Sequence, residues 1–452
     1  MNIIIAGAGD VGFHLAKLLS FESQNIYIID NNAERLDYIN NHIDVITIKG
    51  DATSTSLLKE SNIDNTDLLI AVTESQNTNF TIAAIGKKLG AKKTIARIKN
   101  PEFLHNPEID FREIGIDFMI SPEALAADEI NSLLHQSVFN DSIEFENGSL
   151  LILGGTLSNH SPLINLSIQE AKEKFSHIDF ITVALRREAG DETGDETIIP
   201  RGDTKFYADD QVYFSIAKEM LDGLYQLLGK EKFAVKDVMI LGGSTIGQKT
   251  ATKLCKEQFN IKIIESDKNR AYSISEYIPD ALVINGDGRD VELLEEENIA
   301  EMDAFVAVTG NSETNIMSCL VARSKGVKKT IALVENIDYI NISQTIGIDT
   351  LINKKLLAAS SIFKHVRKGE VVAIANVHNV DAEVLEFEVK PNSKVTKKTI
   401  KDLHLTRSAV FAGVIRNGKV MITFGDFQIQ EYDKVIMFTL QEAVSEVEDL
   451  FN

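Results

Sequence analysis

The sequence predicts an α/β protein made of two tandem repeats, each a doubly wound parallel sheet followed by a small β-rich α+β domain. Three observations carry this. Short apolar runs rich in Ile and Val alternate with helical patterns. Two glycine turns, "AGAGDVG" at 6–12 and "LGGSTIG" at 241–247, each follow such a run. Long stretches of the chain recur at a near-constant offset.

In the first copy the runs are Ile3–Ala6, Ile26–Ile29, Val45–Ile48, Leu68–Val72 and Thr94–Ile98. Helical stretches such as Val11–Leu19 and Phe80–Leu89 stand between them. Short buried strands alternating with helices form parallel βαβ units. After about residue 140 the texture changes. "GSLLILGG", "HIDFITVALRR" and "DDQVYFSIA" read as strands without long helices between them. In the second copy "VLEFEVK" (384–390) alternates strictly, and Asn417-Gly418 separates two apolar runs, a hairpin signal. The expected domains are 1–138 and 229–365, doubly wound, and 139–228 and 366–452, β-rich.

The duplication is read directly. Residues 67–98 and 303–334 are identical at 12 of 32 positions, with an offset of 303 − 67 = 236. The glycine turns differ by 242 − 7 = 235, and "IKGDAT" and "INGDGR" by 284 − 48 = 236. A two-copy repeat of this length is a whole domain set rather than a solenoid unit.

Composition sets the class. With 46 basic and 67 acidic residues the formal charge is −21, which opposes nucleic acid as a partner and anionic lipid as a surface. Two cysteines, Cys255 and Cys319, form no disulfide framework. No apolar run approaches the roughly 18 residues of a membrane span, and a cytoplasmic protein is expected. The acidic "REAGDETGDETIIP" (187–200) reads as a solvated hairpin loop, and "RGD" at 201–203 as a turn.

Each glycine turn has the context of a nucleotide site: a strand before it and a helix after it. Gly7 allows the tight turn, Gly9 admits a pyrophosphate to the backbone, and Gly12 lets helix pack on strand. The helix N-terminus offers N–H groups and a positive dipole to phosphates. Asp30 ends a strand 18 residues past Gly12, where an acid accepts from an adenosine ribose and repels a 2′-phosphate. In the second copy Gly242 and Gly247 persist, Ser244 replaces Gly9, Glu265 replaces Asp30, and Leu333 replaces Arg97. Gly50-Asp51-Ala52, Thr73-Glu74, Gly286-Asp287-Gly288 and Thr309-Gly310 fall at strand ends, where ligands bind in open parallel sheets; they also read as simple turns and caps. Arg97 reads either as a phosphate contact or as a surface ion pair. His14 reads as helix surface. No Tyr-x-x-x-Lys pair, P-loop or metal spacing is present, so neither a short-chain dehydrogenase nor an ATPase is indicated.

Taken together, the paired "AGAGDVG" turn, the ribose acid, the "GDAT" turn and the "VTESQNTN" strand end, each followed by a β-rich domain, resemble the TrkA family. These are cytoplasmic regulatory subunits of bacterial Trk potassium uptake, and each half resembles one RCK (regulator of potassium conductance) unit with a Rossmann-like N domain. The resemblance implies a homo-oligomer, a tetramer forming a ring of eight RCK units, on the inner face of the membrane beneath a potassium-transporting integral membrane subunit. It implies gating by NAD(H) or by ATP/ADP and no catalytic residue. Carried over, the first site uses Gly7, Ala8, Gly9, Asp10, Val11, Asp30, Asp51, Ala52, Thr73, Glu74 and Arg97. The second uses Gly242, Gly243, Ser244, Thr245, Ile246, Glu265, Asp287 and Thr309. An NAD-dependent oxidoreductase and a regulator of a cation antiporter are the competing readings.

Overall fold

The computed structural model describes residues 1–20, 25–104, 108–136, 138–146, 148–187, 196–231, 233–336, 339, 347–363, 371–376, 382–403 and 405–451. Most of the doubled Gly-Asp-Glu-Thr loop (188–195) and the expected seam at 365/366 lie outside these residues.

The first sheet is wholly parallel. Its strands are β1 (Asn2–Ala6), β2 (Asn25–Asp30), β3 (Ile46–Lys49), β4 (Leu68–Ala71), β5 (Lys93–Arg97) and β6 (Phe118–Ile120), in the order β3-β2-β1-β4-β5-β6. Helices α1 (Asp10–Ser20), α2 (Ala33–His42), α3 (Thr55–Glu60) and α4 (Gln76–Leu89) connect the strands, and α5 (Pro122–His135) follows the last. A second, antiparallel sheet is ordered β10-β9-β11-β8-β7, from β7 (Asp141–Phe145), β8 (Leu150–Thr156), β9 (Phe180–Arg187), β10 (Glu196–Ile198) and β11 (Gln211–Ala217). Helices α6 (Ile168–Lys174) and α7 (Leu221–Leu228) accompany it.

The second half repeats the plan. Strands β12 (Asp237–Leu241), β13 (Asn260–Glu265), β14 (Ala281–Asn285), β15 (Ala304–Ala307), β16 (Lys329–Leu333) and β17 (Thr350–Ile352) form a parallel sheet ordered β14-β13-β12-β15-β16-β17. Its helices are α8 (Thr245–Lys256), α9 (Lys268–Tyr277), α10 (Val291–Glu296), α11 (Ser312–Ser324) and α12 (Lys354–Phe363). The last sheet is antiparallel and ordered β18-β19-β22-β20-β21, from β18 (Val371–Asn376), β19 (Ala382–Glu388), β20 (Ala409–Arg416), β21 (Lys419–Met421) and β22 (Lys434–Leu440). Helix α13 (Val444–Phe451) ends the described chain. Asn417 and Gly418 both have positive φ, and Arg416 pairs with Lys419 across them, a two-residue hairpin turn. The "RGD" segment is a turn closed by Thr204 N–H on the Arg201 carbonyl at 3.0 Å.

The halves exchange helices. Ala358, Ala359, Ile362 and Phe363 of α12 are buried in the core beneath α1, among Ile3, Val11 and Leu15. Reciprocally, Ala126, Ile130, Leu133 and Leu134 of α5 are buried against α8 and its sheet. A small-residue face (Ala126, Ala358, Ala359) lets the helices approach closely, and the larger side chains fill the space behind. The β-rich domains also meet. Phe145, Leu150, Ile152 and Tyr213 pack on Val384, Ala412, Ile436 and Phe438. Lys434 pairs with Glu146 at 2.6 Å across this join.

Ile130→Ala and Ile362→Ala each leave a cavity in the other half's core, and each is expected to cost about 2–5 kcal/mol in urea denaturation. A second expectation concerns Lys329, which is 1% exposed and donates to the Phe139 carbonyl at 2.7 Å. Burial pushes this ammonium from its ordinary 10.5 down to about 8. Between those values the unfolded chain holds a proton that the folded chain has lost. Stability should therefore rise with pH from about 8 to about 10.5 relative to Lys329→Met, read from paired denaturation curves.

Candidate nucleotide-binding site

The first site is built at the end of β1. Gly7 has φ +117°, and a Cβ there would press on the Val72 and Thr73 backbone at 3.0 Å. A Cβ on Gly12 would lie 1.9 Å from the Gly7 carbonyl oxygen. Gly9 differs: a Cβ there would meet nothing within 4 Å, because this position opens into the cleft. The N-terminus of α1, with Asp10 and Val11, faces the same space, and the first turn of a helix has N–H groups without intrahelical partners to offer an anion. The cleft holds about 1590 Å³, above the roughly 300–1,000 Å³ of a typical small-ligand site.

All eleven residues expected for this site line the cleft. Val11 is buried in the core, so only its backbone serves. Asp30 has a place in the turn that the sequence reading did not assign. Its Oδ2 accepts from Ala8 N–H at 2.6 Å and its Oδ1 from Asn32 N–H at 2.8 Å, so it fixes the glycine turn itself. Asp51 accepts from the N–H and hydroxyl of Thr53, hydrogen bonds that lower its pKa. The hydroxyl of Thr73 donates to Asn79 at 2.6 Å. Asn79, fully buried, in turn donates to the carbonyls of Thr73 and Arg97, tying the ends of β4 and β5 together. Glu74 is exposed and lies 3.5 Å from Arg35. Arg97 stands only 3.9 Å from Glu123, and its buried Nε has no hydrogen-bond partner among the described residues. It is a cation held at the cleft with part of its bonding capacity unused. His14 is not simply helix surface: it lines the cleft, and burial lowers its pKa.

The other half also reaches this cleft. Lys355 Nζ lies 2.6 Å from Asp10 and 2.7 Å from Glu335, and Lys354 lies 2.8 Å from Glu335. Burial works against the charge on Lys355, but its bonds to Asp10 and Glu335 outweigh that and raise its pKa.

The second site is smaller, about 370 Å³. Gly242, Ser244, Glu265, Asp287 and Thr309 line it; Gly243, Thr245 and Ile246 do not. Gly243 faces Ile274 and Glu265 instead, and Ile246 is buried in the core. Ser244 caps α8, accepting from Gly247 N–H and donating to the Val308 carbonyl at 2.8 Å. Its side chain stands where Gly9 leaves the first site open. Leu241, at the place of Ala6, lies against Gly288, at the place of Ala52, and narrows the cleft. Glu265 is 4% exposed and already accepts from Gly243 N–H, Asp267 N–H and Arg270. Thr309 repeats the Thr73 arrangement, donating to Asn315 at 2.6 Å.

Besides Lys354 and Lys355, sequence reading missed four residues. Asn79 and Asn315 brace the strand ends. Arg270 and Arg289 line the second cleft, so the loss of the arginine at Leu333 does not leave it without cations. Arg289 holds Asp287 at 2.6 Å and, by hydrogen bonding, lowers its carboxyl to about 2. The signal for Arg289 was the "INGDGR" stretch itself.

The TrkA-N domain model matches residues 3–122 and 238–354, and the TrkA-C domain model 156–229 and 384–452. The chain belongs to the TrkA family. It is similar to the Trk system potassium uptake protein TrkA of Vibrio alginolyticus, 31% identical over 100% of this chain and 98% of the relative. It is 30% identical to TrkA homolog 1 of Methanosarcina mazei over 100% of both chains. Among solved structures, the GsuK channel bound to NAD superposes with TM-score 0.59 at 15% identity, covering 100% of this chain and 78% of that one. The GsuK RCK domain gives TM-score 0.59 at 15% identity over 100% and 94%. The TrkA fold is thus present in both halves, and their two clefts are unequal.

Because a Cβ at Gly9 meets no protein atom, Gly9→Ala should leave thermal denaturation unchanged while obstructing phosphates. Calorimetric titration with NADH is expected to show affinity lost with Tm intact. Gly12→Ala, whose Cβ collides with backbone, should lower Tm.

Proposed function

We propose that this chain is a nucleotide-sensing regulatory subunit that acts on a potassium-transporting integral membrane subunit and gates uptake. The observation that carries the reading is the first cleft. It combines an open glycine turn at a helix N-terminus, the Asp30 carboxylate and the incompletely bonded Arg97 in a chain that matches Trk uptake proteins end to end. NAD(H) is the ligand we assign, with ATP/ADP as the alternative occupants. Support comes from the volume of the cleft and from the GsuK channel, which shares the fold and is solved with NAD. No helix among the described residues is long and apolar enough to cross a membrane, and we place the pore in the partner. We assign the chain to the cytoplasmic face, in a homo-oligomeric ring of eight RCK units from four chains.

We read the nucleotide as an effector rather than a substrate. The first cleft is walled partly by the second half, so occupancy changes how the halves meet. An effector acts only through such a difference between two arrangements, worth typically about 1–3 kcal/mol. The second site, with Ser244 in place of an open glycine and Glu265 fully engaged, is assigned weaker dinucleotide binding.

The test is co-reconstitution with the potassium-transporting subunit in vesicles. Nucleotide is expected to change potassium flux. Asp30→Asn, which loses a charged acceptor, should weaken NADH binding by about 1–3 kcal/mol and shift the flux response to higher concentration. Steady oxidation of NADH by the chain alone would favour the oxidoreductase reading instead.

A further inference from the structure

We propose that Lys355, with Lys354 beside it, is a phosphate ligand of the first site supplied by the second half, and that it reads whether a bound adenine nucleotide carries phosphates beyond the first. The proposal rests on the nucleotide reading of that site.

Lys355 faces a place an anion would take, now held by the Asp10 carboxylate. Its Nζ meets the carboxylate of Asp10, the first residue of α1, at the helix end whose dipole favours negative charge. Asp10 is 65% exposed and free to turn to solvent, whereas Lys355 is 21% exposed and anchored. Its anchors are Glu335 and the start of α12, where the Asn353 side chain accepts from Lys355 N–H at 2.9 Å. Arg97 lines the same cleft with its Nε unpartnered among the described residues. Among the described residues, five Lys and Arg side chains therefore line this cleft, Lys17, Arg35 and Arg97 from the first half and Lys354 and Lys355 from the other.

The arrangement is not reciprocal. Asp117 and Asp349 are equivalent, each accepting from the N–H of the matching Thr, Thr94 and Thr330, at 2.8 Å. Their offset, 349 − 117 = 232, places Glu123 at the position of Lys355 and Pro122 at that of Lys354. Thr245 stands where Asp10 does, by the offset of the glycine turns. By this equivalence the first half carries Pro122 and Glu123 where the second half carries two lysines; Glu123 lies 3.9 Å from Arg97, and neither residue lines the second cleft. Only the first cleft is completed in a way that rewards a longer phosphate chain.

The first phosphate of any adenine nucleotide lies with the glycine turn, which lysine substitution leaves intact. Later phosphates compete with Asp10 for Lys355. The experiment is calorimetric titration of the full chain with AMP, ADP, ATP and NADH in magnesium-free buffer, for the native protein, Lys355→Gln and Lys355→Arg. Native affinity is expected to rise from AMP to ATP. Lys355→Gln should weaken ATP about tenfold, the loss of a charge-assisted contact, weaken ADP and NADH, which carry one phosphate beyond the first, by less, and leave AMP within about twofold. Lys355→Arg, which keeps the charge, should restore the ATP affinity. Equal weakening of all four ligands by Lys355→Gln, with arginine failing to rescue, would overturn the proposal as a purely structural effect. Unchanged ATP affinity in Lys355→Gln would overturn it while leaving the nucleotide reading standing. A native chain that binds none of the four would overturn both.

Discussion

Neither parallel sheet finishes its own core. The face of α1 turned away from β1 is covered by Ala358, Ala359, Ile362 and Phe363 of α12, and the matching face of α8 by Ala126, Ile130, Leu133 and Leu134 of α5. Burying a large apolar side chain is worth about 1.5–3 kcal/mol. A half that swung away would expose several of these at once. The apolar cluster around α12 runs on into Leu385, Phe387 and Phe411 of the last β-rich domain. One helix therefore joins the first parallel-sheet domain to the far end of the chain.

The same helix begins at the first cleft. Lys354 and Lys355 open α12, and Phe363 closes it in the core. Charge at one end and packing at the other belong to a single rigid element. A ligand that alters the pairing of Lys355 with Asp10 acts on an element whose other contacts are apolar and close-packed. Such contacts shift between discrete arrangements rather than deform smoothly. The second cleft lacks this lever: Ser244 and Leu241 occupy its space, and Glu265 is fully engaged by its own domain. Duplication has left one cleft of about 1590 Å³ and one of about 370 Å³.

Much of this was legible in the sequence. The runs at Ile3–Ala6, Leu68–Val72 and Thr94–Ile98 lie inside a parallel sheet covered on both faces, so they read as continuous apolar segments; the run at Val45–Ile48 forms the edge strand, where Ile46 is exposed. Asn417-Gly418 announced its hairpin because few other dipeptides take two positive φ angles at low cost. Asp30 was found by its distance from the glycine turn. Its bond to Ala8 N–H was not, since spacing places a carboxylate without saying which backbone group it meets. The helix exchange was hidden for a related reason. Periodicity tells which face of α5 or α12 is apolar but not whose core it enters. Lys355 belongs to the same class, being 345 positions from Asp10 in the chain and 2.6 Å from it in space. Gly243, Thr245 and Ile246 were expected at the second site by analogy with the first, and none of the three lines its smaller cleft.

The coupling between cleft and helix is tested most directly by hydrogen exchange of the backbone amides of Lys354–Phe363, measured on the full chain with and without saturating nucleotide. Exchange reports local opening, and its free energy shifts when a ligand favours one arrangement. Nucleotide should change protection along this helix, although it lies in the second half, and Gly9→Ala should abolish the change. Protection altered only around residues 2–97, with the helix unmoved, would contradict the view that the first site speaks to the rest of the molecule through α12.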